Sequence, residues 1–141
     1  MDSITKAIND WLLTYKPITD VAVVHTEYLP DEVNALALQR SGVEDLPQKY
    51  TADKGWYRQY QYILLLKNNS QDYTQRLSNL DWLDNLHNWI DTQNQNKNFP
   101  ILSNMKVDKA NCANGILYQE GETNQDTIYY LQLYFNIKGG I

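Results

Sequence analysis

The order of periodic segments predicts an α+β domain: an antiparallel or mixed sheet with an N-terminal helix and one long central helix packed on one face. Three observations carry this expectation. Residues 4–15 repeat apolar side chains at helical spacing. The stretch after Ser70 does so again over a greater length. Residues 127–138 alternate, with Tyr129, Leu131, Leu133, Phe135 and Ile137 facing one way and Tyr130, Gln132, Tyr134 and Asn136 the other. At 141 residues the chain fits a single domain, 1–141, able to bury a core without disulfides.

Taken in order, Ser3 is positioned to cap a first helix carrying Ile4, Ala7, Ile8, Trp11, Leu12 and Tyr15 on one face, and Pro17 is expected to end it. Residues 21–28 concentrate β-branched side chains and read as a strand. Residues 33–40 alternate and read as a second strand pairing back on the first, while their Ala and Leu also tolerate a helix. Residues 41–55, with Gly42, Pro47 and Gly55, lack periodicity and read as a long loop. Residues 56–67 read as a long strand. Its Ile63 to Leu66 end is apolar on both sides, which predicts a central strand covered on both faces.

Asn68 and Asn69 turn the chain, and Ser70 can cap the long helix. Tyr73, Leu80, Leu83, Leu86, His87 and Ile90 lie along one side, with Trp82 and Trp89 at its edge. The apolar arc spans roughly 200°, wider than one sheet face needs. The surplus is expected to pack on the first helix or on another subunit. The polar run at 92–98 reads as helix exit and loop, residues 101–117 as one or two strands, and residues 119–126 as a polar turn.

The charge balance argues against a phosphate-binding surface. Twelve Lys and Arg are scattered among 17 Asp and Glu, for a net charge of −5, whereas nucleic-acid affinity needs clustered cations. The single cysteine, Cys112, makes an intrachain disulfide impossible. The start of the chain has no basic, apolar leader pattern, and no apolar run approaches the roughly 20 residues of a membrane span. These features predict a protein made in a cytoplasm and not held in a membrane.

A search for catalytic chemistry finds no convergent set. His25 and His87 stand alone, without the ligand number and spacing of a metal site. Cys112 has no basic neighbour and reads as a small buried hydrophobe. No nucleophile elbow, phosphate loop or dinucleotide fingerprint occurs. Asp81 and Asp84 read as a solvated helix face. The sequence therefore predicts no enzyme, metal or cofactor, and directs attention to interaction chemistry. Eleven Tyr and four Trp suit both cores and interfaces. Candidate interface residues are Glu44, Asp45, Trp56, Tyr57, Trp82, Trp89, Glu120, Glu122, Tyr130 and Tyr134.

The succession of features resembles a known family. It runs from a short helix, through a strand ending in Leu29-Pro30, to the segment Asn34-Ala35-Leu36-Ala37-Leu38 and an acidic, Gly-containing loop. An aromatic strand from Tyr57 to Leu66, one long helix, the Asn98-Phe99-Pro100 corner and a Tyr-rich last strand follow. In order and texture, over nearly the whole chain, this is similar to the tail terminator (tail-to-head joining, minor capsid) proteins of phages with long non-contractile tails. The resemblance implies a virion neck protein forming a ring, typically a hexamer, on the last ring of tail-tube protein. That ring ends tube polymerisation and then meets the head connector or stopper, and DNA passes through it. It implies no catalysis and no sequence-specific DNA binding, and it transfers no invariant residue. Three competing readings stand beside it. One is a head-completion or stopper neck protein. Another is a small ligand-binding domain or enzyme with a tyrosine-lined cleft near His25 or His87. The last is a monomeric module regulating a host protein.

Overall fold

A computed structural model describes residues 3–21, 24–26, 35–46, 55–68, 73–120 and 127–139. The elements run α1 (Ser3–Leu12), α2 (Lys16–Val21), β1 (Val24–Thr26), β2 (Ala35–Asp45), β3 (Trp56–Asn68), α3 (Tyr73–Gln95), β4 (Met105–Glu120) and β5 (Thr127–Gly139). The five strands form one mixed sheet in the order β1-β2-β3-β5-β4. The fold is α+β, with the helices on one face.

The apolar stripe of α1 explains its position. Ile4, Ile8, Trp11 and Leu12 are buried, while Lys6 and Asp10, one turn apart on the opposite side, form an exposed ion pair at 2.8 Å. Pro17 does not end this helix. The chain leaves it after Leu12 through tight turns, with Thr14 N bonded to Trp11 O and Tyr15 N to Leu12 O. Pro17 then falls in the first turn of α2, where its missing N–H leaves no bond unmade. This short helix takes Val21, the start of the expected 21–28 strand; Val24–Thr26 form β1, and residues 22–23 and 27–28 lie outside the described residues. The helix places Ile18 fully in the core.

β1 pairs with β2 in parallel, Val24 opposite Leu36 and Thr26 opposite Leu38, so the expected pairing back of the second strand on the first is corrected. Hydrophobic alternation says which side chains share a face and is silent on strand direction. β2 is also longer than its alternation suggested. A bulge between Arg40 and Gly42 resets the register, and the strand continues to Asp45 opposite Arg58. The expected 41–55 loop is therefore strand over residues 41–45, and its 47–54 portion lies outside the described residues.

β3 is central, pairing antiparallel with β2 from Arg58↔Asp45 to Lys67↔Ala35 and with β5 from Trp56↔Gly139 to Asn68↔Thr127. β4 forms one strand with three register shifts against β5.

The core lies between the three helices and one sheet face. It gathers Leu36 and Leu38 of β2, Tyr62, Leu64 and Leu66 of β3, and Leu83, Leu86 and Ile90 of α3. All five inward residues read from the alternation of β5 are at most 1% exposed. Trp89 packs between Trp11 and Tyr15, with ring centroids 4.9 and 5.0 Å away. The surplus apolar arc of α3 is thus met at Trp89 by α1 and the turn after it. Trp11 also donates its indole N–H to Asn98 O at 2.9 Å, fixing the corner after α3 to α1. At that corner Lys97 takes the left-handed conformation (φ 56°), the conformation in which many helices are closed.

Candidate interaction surface

Among the described residues no helix covers the sheet face opposite the helices. On β3 the outward residues are Gln59, Gln61, Ile63 and Leu65, and on β5 they are Tyr130, Gln132, Tyr134, Asn136 and Lys138. All are half-buried. No described helix packs over them, because the residues of all three helices gather with the opposite face. The expectation that the Ile63 to Leu66 end of β3 is covered on both sides is therefore corrected: Leu64 and Leu66 are in the core, while Ile63 and Leu65 are not. These two line a shallow depression of about 230 Å³ with Gln39, Tyr130 and Gln132. Ala37, on the same side of β2, is buried.

The chemistry of this face is amide and phenol. Gln61 donates to Gln59 Oε1 at 3.0 Å, and Gln59 donates to Asn136 Oδ1 at 3.2 Å. Tyr134 donates its hydroxyl to Gln132 Oε1 at 2.9 Å. Such groups can each donate and accept, so they rearrange onto a partner without stranding a charge. From Gln59 to Leu65 and from Tyr130 to Asn136 the outward positions carry no ionisable side chain apart from the phenols. Depletion of charge with enrichment of tyrosine is the compositional mark of an interface centre. Charge returns at the margins, with Glu44 on β2 and Lys106, Lys109 and Lys138 on β4 and β5, all but Lys138 exposed.

The candidate residues separate into groups. Tyr130 and Tyr134 lie on the open face, and Glu44 and Asp45 are exposed at its β2 margin. Asp45 is bonded to Arg58 at 2.9 Å, and that pairing holds the Arg58 guanidinium above its ordinary pKa. Trp56 is half-buried, with the Arg58 guanidinium 4.4 Å from its ring and Gly139 directly beneath it. Tyr57 is not an exposed contact: it is 7% exposed, and its hydroxyl donates to Asp108 at 2.9 Å. Trp82 and Trp89 pack partly against the core, and the ring contacts of Trp89 are inside the chain. Glu120 ends β4, and Glu122 lies outside the described residues. The sequence reading missed Gln39, Gln59 and Gln61. For Gln59 and Gln61 the signal was present in the alternation of β3, which runs Gln59, Gln61, Ile63, Leu65 on one side.

Cys112 is not an activated thiol. Cys112 is buried under α3, its sulfur 4.0 Å from the His87 carbonyl oxygen and not paired with the imidazole. Burial pushes its thiol up to about 12, with the Asp91 carboxylate adding to the shift. The His87 ring is instead 3.6 Å from Asp91, one turn along α3. Among the described residues no group of three or more His, Cys, Asp or Glu is placed to hold a metal ion, and no helix is long and apolar enough to cross a membrane. A separate groove of about 360 Å³ lies between α1 and the corner after α3, lined by residues including Trp11, Phe99 and Ile101.

No protein-family model matches the chain, and no curated protein matches it.

Proposed function

We propose that this protein is a structural subunit of the neck of a long-tailed phage. It closes into a ring, of six copies in the usual arrangement, on the end of the tail tube. The ring stops tube growth and presents its other side to the head connector or stopper. The single observation that carries the reading is the open, charge-depleted sheet face bearing Tyr130, Tyr134 and the Gln59–Gln61–Asn136 amides. A face of this composition is suited to docking another protein surface, because its polar groups are adaptable and its tyrosines add large contact area.

Two further features support the reading. The order of elements and the Tyr-rich last strand resemble those of tail terminators. The net charge of −5 suits a ring through which DNA must slide without adhering. On this reading the protein is no enzyme and needs no cofactor. Its partners are copies of itself, the tube protein and the connector, and its place is the virion after assembly in the host cytoplasm.

The test is electron microscopy of lysates from a phage with an early stop codon in this gene. Filled heads beside unattached, overlong tails are the expected result. Unattached tails of normal length would move the protein to a head-completion or stopper role, and normal infectious virions would remove it from the neck.

A further inference from the structure

The strand registers align one charge of each sign across the sheet. Glu44 on β2 pairs with Gln59 on β3, Gln59 with Asn136 on β5, and Asn136 with Lys109 on β4. Among the described residues the two ends of this row are edges of the sheet. Among the described residues β1 covers β2 only at Leu36–Leu38, which leaves β2 as the edge at Glu44, and β4 is the last strand on the other side. Glu44, Lys106 and Lys109 are exposed.

Neighbouring charges are already matched within the chain. Asp45 pairs with Arg58 at 2.9 Å, and Asp108 pairs with Lys138 at 3.8 Å. What is left is a negative β2 edge and a positive β4 edge in a single row. Glu44, Lys106 and Lys109 form no ion pair with one another or with any other described residue.

We propose that these edges join copies of this chain head to tail, the Glu44 edge of one copy meeting the Lys109 edge of the next. The proposal rests on the ring reading above and supplies its contact. Strand direction agrees with it. Three antiparallel steps separate β2 from β4. Those two strands therefore run in opposite senses, and a neighbour in the same orientation continues the antiparallel order. Because Glu44 and Lys109 share a row, no shift along the strands is needed to bring them together. One edge fits the other and not itself, which is the heterologous interface that a closed ring requires.

The contact is made by side chains. Bulges at Arg40/Gly42 and Val107/Lys109 break the backbone ladder on both edges, and the Ala110 N–H on β4 is taken by Asn94 Oδ1 at 3.0 Å. Continuous pairing of backbones between copies is thereby opposed.

Three variants test the contact: Glu44→Lys, Lys109→Glu, and the two combined in one chain. Each is checked for native folding by circular dichroism and for association by sedimentation. The wild type should associate at about 0.01 M salt and lose association towards about 1 M, as the screening length falls from about 30 Å to about 3 Å. Either single variant presents like charges at the contact and should associate at least about tenfold more weakly. The combined variant, and an equimolar mixture of the two single variants, should recover association because opposite charges meet again. The proposal is overturned if the wild type stays monomeric at high concentration in low salt. It is equally overturned if the single variants associate like the wild type, or if folded combined and mixed samples do not recover. Overlong tails from the gene knockout, together with any of these results, would keep the neck reading and discard this contact.

Discussion

The side-chain oxygens of Thr5 and Tyr62 lie 2.8 Å apart inside the core, joining α1 to the central strand β3. Thr5 is 1% exposed and Tyr62 is fully buried. Either hydroxyl can donate, and each satisfies a polar group that burial would otherwise penalise. Arg40 adds a 3.3 Å bond to the same Tyr62 oxygen and stacks over the Tyr60 and Tyr62 rings. Thr5→Val should lower stability by about 1–2 kcal/mol, seen as a lower urea midpoint with an unchanged slope. Tyr62→Phe should cost more, because the bond from Arg40 is removed too. The double variant should cost less than the sum, since both changes remove the same bond.

Trp89 belongs to an intramolecular aromatic stack, and its substitution should act on folding. Its ring contacts Trp11 and Tyr15, and Trp11 in turn meets Phe135 edge-on at 5.6 Å. Trp89→Ala should destabilise the monomer by about 3 kcal/mol, the low end for aromatic truncations, because the side chain is only half-buried. Thermal melts at several protein concentrations check this. A loss that appears only at concentrations where copies associate would instead place Trp89 in an intersubunit contact.

Gly139 is held without a side chain by Trp56. A Cβ at Gly139 would overlap the six-membered ring of the indole. Gly139→Ala should force the indole aside, disturb its stacking with Arg58, and cost about 1–3 kcal/mol. Trp56→Ala in the same chain should remove the overlap and recover most of the added cost. Denaturant midpoints of the four chains in the cycle measure the recovery.

Cys112 should be inert in the native protein and reactive once unfolded. With its thiol pushed up to about 12 by burial, almost no thiolate exists at pH 8, and thiolate is the form that alkylates. Iodoacetamide labelling should be slow in buffer and fast in urea. The sign for stability follows from the raised pKa. The folded state holds the proton more tightly, so this contribution is complete below the unfolded value near 9 and is lost as pH rises towards 12. Cys112→Ala should show a shallower fall of stability over that window than the wild type.

Tyr130 and Tyr134 should matter for docking more than for folding. Both are half-buried on the open face, and the Tyr134 hydroxyl bonds only locally, to Gln132 two residues away. Converting both to Ser should leave the monomer folded, as circular dichroism checks, while abolishing capture of the tail-tube protein in a pull-down from infected cells. Unchanged capture by the folded variant would remove this face from the docking surface.

The sequence by itself determined the elements whose pattern is local. The strict alternation of residues 129–137 marked the inward face of β5, and Ile4, Ile8, Trp11 and Leu12 marked the buried stripe of α1. Leu83, Leu86 and Ile90 did the same for α3. Each pattern is written at the period of its own backbone geometry, so it is legible without knowledge of the neighbour. The open face was legible on β5 through Tyr130 and Tyr134. It was hidden on β3, because Ile63 and Leu65 are as apolar as the core residues that alternate with them.

The tertiary structure alone decided how these elements meet. It made β1 parallel to β2, carried β2 through a bulge to Asp45, and placed β5 between β3 and β4. It buried Tyr57 against Asp108, left Ile63 and Leu65 half-exposed, and brought Glu44 and Lys109 to the two ends of one row. None of these follows from periodicity. Strand direction, order and cover depend on which distant segment supplies the hydrogen bonds and apolar area, and that choice is settled only when the whole chain packs.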